Sequence, residues 1–218
     1  LETQLNTKIA LVSTRKGTGL QELKTLIEGY KTLPKKQCLD ARSIDYVSCD
    51  QVIMHTQNPD ETFKELVRIT NPICGEFSCY FYAKKALPRE LLDDHFRSAC
   101  SQMSKDELWD MSKQLTDFGK NLRELNVTLD VPDIPALNIK GGSYDLQRFL
   151  YWNFLKCFWN EDLGRETSIV TNYDWYSPSN ARRYSKEEVF DLIEDNELEV
   201  IHFHHEEACY SGRFVKPC

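Results

Sequence analysis

Three polar residues, Asp50, Gln51 and His55, follow a segment whose composition predicts a parallel β-strand. Open α/β sheets bind ligands beside the carboxyl ends of their strands, so these side chains are candidates for a binding site. Because an imidazole titrates near neutral pH, His55 is the candidate general base. The alternative is a surface histidine that packs on the following helix.

A second group of candidates lies in Tyr173-Asp174-Trp175-Tyr176 and in Arg182-Arg183. The first segment predicts an aromatic loop with one carboxylate, which suits the wall of a small-molecule pocket or a box for a cationic group. Arg182 or Arg183 is expected to contact an acidic group of the substrate. The alternative is that the aromatic side chains simply pack on the sheet.

Gly17 and Gly19 stand between a predicted strand and a predicted helix. Backbone amides in that setting can meet an anion, although a plain turn explains the two glycines equally well. No Gly-Lys-Ser/Thr follows, which excludes a Walker-type phosphate loop. His202-x-His204 is interpreted as exposed hairpin positions, and no metal is predicted.

The elements that would position these residues alternate between strand and helix. Strands are predicted at 8–13, 44–50 and 76–82, and a helix is predicted from Pro59, with Asn58 as its N-cap. Short joins between strand, helix and strand indicate a parallel, right-handed unit.

The sequence predicts a single domain, residues 1–218. Residues 83–166 are expected to form a helical insertion in this domain that caps its sheet. Its helices are expected at 87–97, after the capping box at Ser104, and at 144–159. Beyond it the sequence predicts a strand at 168–171, a helix after the second capping box at Ser185, and a closing antiparallel hairpin over 198–203 and 208–215.

The composition is that of an ordinary globular protein, with 41% hydrophobic residues among 218. The formal net charge of −7 argues against nucleic acid as a partner, and no apolar run is long enough to span a membrane. Eight cysteines without a CxxC motif indicate reduced thiols and a cytoplasmic protein. The chain begins at Leu1 rather than Met, which leaves room for an upstream segment.

Residues 44–56 and 58–69 resemble the fourth strand and following helix of class I S-adenosylmethionine-dependent methyltransferases. Pro72-Ile-Cys-Gly75 stands where that family has a Pro-Gly-Gly turn, and residues 173–217 are similar to its C-terminal end. The resemblance implies an α/β, Rossmann-like sheet with a C-terminal antiparallel hairpin. It also implies S-adenosylmethionine as cofactor, bound by Gly17, Gly19, Asp50 and Gln51.

The N-terminal part departs from the family pattern. Arg15 and Lys16 occupy positions where the family has an acid and a glycine, and only 24 residues separate Gly19 from Ile44, where two strand–helix units usually lie. The resemblance therefore implies a sheet shortened at one edge. Asp40 is the candidate for the acid that binds the cofactor's ribose; otherwise the ribose site is lost.

These observations lead to two hypotheses of different classes. The first is methyl transfer from S-adenosylmethionine to a small molecule held between residues 50–55 and 173–176. The second is a non-catalytic relative, kept as a binding or structural subunit, that contacts a partner protein through residues 149–159 and the segment at Tyr173. A homo-oligomer is a separate alternative for the partner. A third alternative is that the chain is a fragment of a longer protein.

Overall fold

The computed structural model describes residues 44–73 and 75–217 with their side chains, and residues 9–13 as backbone. These residues form two compact units, one made of residues up to 83 together with those from 180 onward, and one made of residues 84–179. Each unit is described separately below. No helix in these ranges is long and apolar enough to cross a membrane.

Six strands of the first unit form one sheet in the order β1-β2-β3-β8-β7, with the short β6 beside the end of β3. Their bounds are β1 Ile9–Ser13, β2 Tyr46–Asp50, β3 Glu76–Ala83, β6 Arg183–Tyr184, β7 Glu199–His205 and β8 Cys209–Val215. Strands β1, β2 and β3 are parallel, and β8 runs antiparallel between β3 and β7. This is the Rossmann-like sheet with a closing hairpin that the resemblance implies. Among the described residues β1 is one edge of this sheet. Residues 14–43, where the family has two further strand–helix units, lie outside the described residues, so the shortening stays a prediction.

Helix α1 (Pro59–Ile69) joins β2 to β3 and begins where the sequence predicts. The Asn58 side chain accepts a hydrogen bond from the Glu61 amide at 3.3 Å, and Pro59 stands at the first helical position. The cap satisfies one of the amide groups that lack a partner within the first turn. The helix therefore starts soon after β2 and leaves a short connection at that strand's carboxyl end.

The core of this unit lies on one face of the sheet. Phe63 of α1 packs edge-on against Phe77 of β3, with their ring centroids 5.0 Å apart, and both side chains are fully buried. Helix α6 (Lys186–Glu194) covers the same face and begins with the capping box predicted at Ser185. Both helices bury apolar side chains on this face, which anchors β2 and β3 as a rigid support for residues beyond their ends.

The second unit contains more than helices, which corrects part of the prediction for residues 83–166. Its elements are α2 (Leu87–Cys100), α3 (Lys105–Glu124), β4 (Thr128–Val131), β5 (Gly142–Asp145), α4 (Leu146–Asn153) and α5 (Gly164–Tyr176). Strands β4 and β5 pair as an antiparallel hairpin. The helix predicted over 144–159 is therefore shorter at both ends: residues 144 and 145 belong to β5, and α4 ends at Asn153.

The strand predicted at 168–171 is wrong, because these residues lie in the middle of α5. Helix α5 packs beside α3 through a polar contact: the Asn172 side-chain amide donates to Thr116 Oγ1 at 2.8 Å, and both residues are fully buried. The Asn172 carbonyl oxygen accepts from the Phe158 amide at 2.8 Å. A helix places Asn172 where it can satisfy both neighbours, and this tertiary pairing outweighs the local β-propensity of Ile-Val-Thr.

Candidate functional site

The carboxyl end of β2 presents Asp50 and Gln51. Asp50 is the last residue of the strand and half-buried, and Gln51 adopts φ 56°, in the left-handed region that few residues other than glycine and asparagine visit. A 3-10 turn, Ile53–His55, follows, and its first two side chains are fully buried in the core. The sharp reversal at Gln51 leaves both polar side chains at the strand end, where open sheets bind ligands.

His55 closes this turn and is held by the chain segment that returns at residue 180. Its Nδ1 atom lies 2.8 Å from the carbonyl oxygen of Asn180. A carbonyl can only accept, so Nδ1 must carry the proton and the lone pair of the neutral ring belongs to Nε2. The ring also stands edge-on to Tyr82 at a centroid distance of 5.5 Å. His55 is thus oriented by two neighbours, and its role as a general base stays a prediction.

Arg182 is tied to the same turn. Its backbone amide donates to the Met54 carbonyl at 2.9 Å, and its guanidinium donates to the Asp60 carboxylate at 2.6 Å. The guanidinium also lies over the ring of Tyr184, at 4.6 Å from the centroid. Arg182 therefore already has an anionic partner within the protein, and a substrate acid would have to compete with Asp60.

Arg183 is buried and 8% exposed, and its guanidinium donates to the Ala181 carbonyl at 2.8 Å. It belongs to β6, whose pairing with β3 fixes its backbone beside Tyr82. These contacts place its charge in the interior of the unit. Contact of either arginine with a substrate acid stays a prediction.

The aromatic segment Tyr173–Tyr176 is the last turn of α5 rather than a loop, which corrects the sequence prediction. Trp175 and Tyr176 are buried within the second unit, and Tyr173 packs edge-on to Trp109 at 5.4 Å. Asp174 is the exposed member of the segment. Two of the four side chains thus form part of the packed interior of residues 84–179, and the role of the segment in binding a substrate stays a prediction.

The remaining predicted cofactor residues, Gly17, Gly19 and Asp40, lie outside the described residues. So do Arg15 and Lys16, the two departures from the family's first motif. The first unit brings together Asp50, Gln51, His55 and Arg182, while the aromatic segment belongs to the second unit.

A groove of about 440 Å³ lies on the sheet face opposite the core of the first unit. Its lining includes Tyr46, Ser48, Asp50, Ser78, Tyr80 and Arg213. The Tyr46 hydroxyl donates to Ser78 Oγ at 3.1 Å across β2 and β3. The sequence prediction overlooked this surface, although polar side chains at every second position of 46–50 and 76–80 were its signal.

Within the described ranges no group of three or more histidine, cysteine or acidic side chains is arranged to hold a metal ion. His204 lies 3.9 Å from the Glu206 carboxylate at the exposed turn of the hairpin. Five cysteines, Cys49, Cys79, Cys100, Cys157 and Cys209, are buried free thiols.

The solved structures that are similar to this chain include the following three. One is described as a Zn-dependent alcohol dehydrogenase from Rhodobacter sphaeroides; it is 12% identical, has a TM-score of 0.37, and the match covers 85% of this chain and 62% of that one. PKMT2 from Rickettsia typhi is 11% identical with a TM-score of 0.49, covering 96% and 44%. The same protein in complex with AdoHcy is 12% identical with a TM-score of 0.43, covering 80% and 36%.

The chain therefore spans less than two thirds of the length of each of these structures. Since no TM-score exceeds 0.49, the fold assignment rests on the strand order of this chain and not on these likenesses. Neither a protein-family model nor a curated protein sequence matches the chain.

Proposed function

We propose that this protein is an S-adenosylmethionine-dependent methyltransferase acting on a small molecule. The observation that carries the proposal is the strand order, in which three parallel strands are followed by a closing antiparallel hairpin, as the resemblance of residues 44–217 to class I methyltransferases implies. In this arrangement the cofactor binds beyond the carboxyl ends of β1 and β2.

The residues at the end of β2 fit such a cofactor. Asp50 offers a half-buried carboxylate and Gln51 a side-chain amide, and these groups suit the ammonium and hydroxyl groups of an amino-acid nucleoside. The bound cofactor would supply a methyl group on a sulfonium, which is inherently electrophilic. The chain's own task is then chiefly to position the acceptor in line and to exclude water, and such positioning can supply a large part of the rate enhancement.

The first test is calorimetric titration of the protein with S-adenosylmethionine and with S-adenosylhomocysteine. We expect saturable binding of both, weakened at least about tenfold by Asp50→Ala, since a charge-assisted hydrogen bond contributes roughly 1.5–3 kcal/mol. Asp191→Ala is the matched control, because Asp191 is an exposed carboxylate on α6. Equal affinity of the Asp50→Ala variant would contradict the assigned position of the cofactor.

The second candidate is a non-catalytic relative that binds a protein partner. Arg15 and Lys16 favour it, because they replace an acid and a glycine of the family's cofactor motif. Absence of both heat and thermal stabilisation with either cofactor form would contradict the enzyme proposal and support this candidate. Methylated product from a screen of small-molecule acceptors would support the enzyme.

A further inference from the structure

Strand β7 lies at an edge of the sheet and presents most of its side chains to solvent. It pairs with β8 on one side, and no strand in the part of the chain that the structure describes pairs with its other side. Six of its seven residues are exposed, so the outer side of the strand is accessible. The backbone N–H and C=O groups that point away from β8 form a row that can pair with another strand.

The sequence of β7 lacks the commonest protection of an exposed edge. Natural edge strands are often very short, or they carry lysine or proline, and both devices hinder pairing with another chain. β7 is seven residues long and contains neither lysine nor proline. Its one irregularity is at Ile201, which is an additional residue relative to β8, since Val200 pairs with Phe214 and His202 with Arg213.

The irregularity at Ile201 determines which side chains of β7 share a face, because cross-strand partners lie on the same face of a sheet. Val200 is paired with Phe214, which is fully buried in the core. Phe203 is paired with Gly212, which is two residues from Phe214 on β8 and hence on the same face. Val200 and Phe203 therefore both lie on the core face, one on each side of Ile201.

Glu199 and His204 lie together on the opposite face of β7. Their partners on β8 are Val215 and Ser211, and Ser211 lines the groove described above. His204 Nε2 is 3.9 Å from the Glu206 carboxylate, which leaves Nδ1 for a second acid. Each face of β7 thus carries one complementary pair: two apolar side chains on the core face, and an acid with an imidazole on the other.

The core face of β7 continues into an apolar surface at the edge of the unit. Val200 is 42% exposed, and Phe190 of α6 is 39% exposed. The Phe190 ring lies 4.9 Å from the Phe203 ring, which stacks on Tyr210 at 5.9 Å. A strand added beside β7 would cover these side chains, and removing their apolar area from water would favour the addition.

We propose that β7 pairs with β7 of a second copy of this chain, antiparallel about a two-fold axis that passes through the middle of the strand. Val200 of one copy then faces Phe203 of the other, and Glu199 faces His204. The axis repeats both contacts, so the strand is complementary to itself on both faces. This dimer is formed by the first unit and does not depend on the proposed methyl transfer.

Other registers of the same pairing lose this match. A shift by one residue in either direction sets residues of opposite faces against each other. A shift by two residues brings Glu199 opposite Glu206 in one direction, and in the other direction it leaves His204 and His205 opposite residues that precede β7. The proposed pairing uses the same strand of both copies, so assembly stops at the dimer.

The test is sedimentation velocity of the whole chain in reducing buffer, over about 1–100 μM protein. We expect a reversible equilibrium between monomer and dimer. Val200→Lys should weaken the dimer at least about tenfold, because it sets an ammonium against Phe203 and adds the residue that protects natural edges. Val170→Lys is the matched control, since Val170 is 43% exposed on α5 of the second unit, and it should leave the dimer unchanged. The proposal is overturned by a monomer at every concentration, by species larger than a dimer, or by a Val200→Lys variant that associates as the wild type does.

An exchange of charges tests the register. His204→Glu sets two carboxylates against the two copies of Glu199 and should weaken the dimer about fivefold. Adding Glu199→Arg to this variant should restore the affinity of the wild type. Positions 199 and 204 are about 16 Å apart along one extended strand, so the restoration cannot arise within a single copy. A double variant that associates no better than His204→Glu alone overturns the proposed pairing. This comparison decides the question should Val200→Lys fail to fold.

Discussion

The Nδ1 atom of His55 donates a hydrogen bond to the carbonyl oxygen of Asn180 at 2.8 Å, across 125 positions of the sequence. The contact joins the 3-10 turn after β2 to Asn180, the residue at which the chain re-enters the first unit. Two further contacts from Arg182, to Met54 and to Asp60, reinforce the same junction. Residues 53–55 beside the candidate site are therefore held in place by residues 180–182 as well as by β2.

His55→Ala should lower the free energy of unfolding by about 1–2 kcal/mol, because it removes this hydrogen bond and the packing against Tyr82. His55→Asn keeps a side-chain N–H donor and should recover part of the loss. Urea unfolding of both variants measures the difference. Equal destabilisation by alanine and asparagine would mean that the hydrogen bond contributes nothing.

Two ion pairs of the second unit should differ sharply in their contribution to stability. Arg89–Asp93 is almost completely buried, whereas Arg165–Asp117 is half-exposed although two hydrogen bonds of 2.9 Å join its partners. Asp93→Ala leaves a buried guanidinium without its counter-charge and should cost about 3–5 kcal/mol. Asp117→Ala should cost about 1 kcal/mol or less. Similar denaturation midpoints for the two variants would contradict the assigned burial.

Gly75→Ala should strongly lower the free energy of unfolding, although it adds only one methyl group to the first unit. A Cβ atom at this position would meet the backbone of Asn71, with the amide nitrogen at 2.6 Å, and backbone cannot move aside as a side chain can. We expect a loss of about 2–4 kcal/mol. Gly164→Ala is the control: Gly164 has φ 76° but no atom within 4 Å of the added carbon, so the loss there should be about 1 kcal/mol. Thermal unfolding distinguishes the two; a smaller effect at Gly75 would contradict the tight turn.

Lys85 gives a pH-dependent prediction. Its pKa is about 7 in the folded chain and about 10.4 when unfolded, so between these values the unfolded chain binds the extra proton and stability increases with pH. Lys85→Met removes this dependence. The variant should therefore be more stable than the wild type at about pH 7, by about 2 kcal/mol after allowing for partial exposure, and the difference should shrink towards pH 9.

Urea unfolding at the two pH values measures this effect, with Lys84→Met as the exposed neighbouring control. A difference between Lys85→Met and the wild type that stays constant with pH would show that the Lys85 ammonium is not penalised by its surroundings.

The elements that were predicted correctly are specified by residues within or next to the element itself. Asn58-Pro59, Ser104-x-x-Glu107 and Ser185-x-x-Glu188 specify helix starts through side-chain caps, and all three starts are confirmed. The closing hairpin follows from two strand-like runs separated by an acidic turn.

The predictions that were wrong concern segments whose structure depends on contacts with residues distant in the sequence. Residues 142–145 form a strand only because residues 128–131 pair with them across a connection of ten residues. Residues 168–171 are helical because Asn172 is satisfied by α3 and by the Phe158 amide. In the candidate site, Asp50 and Gln51 could be placed at the strand end from the pattern alone. The engagement of Arg182 with Asp60 could not, because 122 positions separate them.

The pairing of β6 with β3 also bears on how this protein can change over evolutionary time. Ala83, the last residue before the second unit, is the register partner of Tyr184, four residues after the chain returns at Asn180. The residues that precede and follow the second unit are therefore neighbours in the same sheet. The hydrogen bonds between β3 and β6 hold them there and do not involve residues 84–179. We therefore expect that residues 84–179 can be replaced by a different inserted segment while the pairing of β3 with β6 is kept.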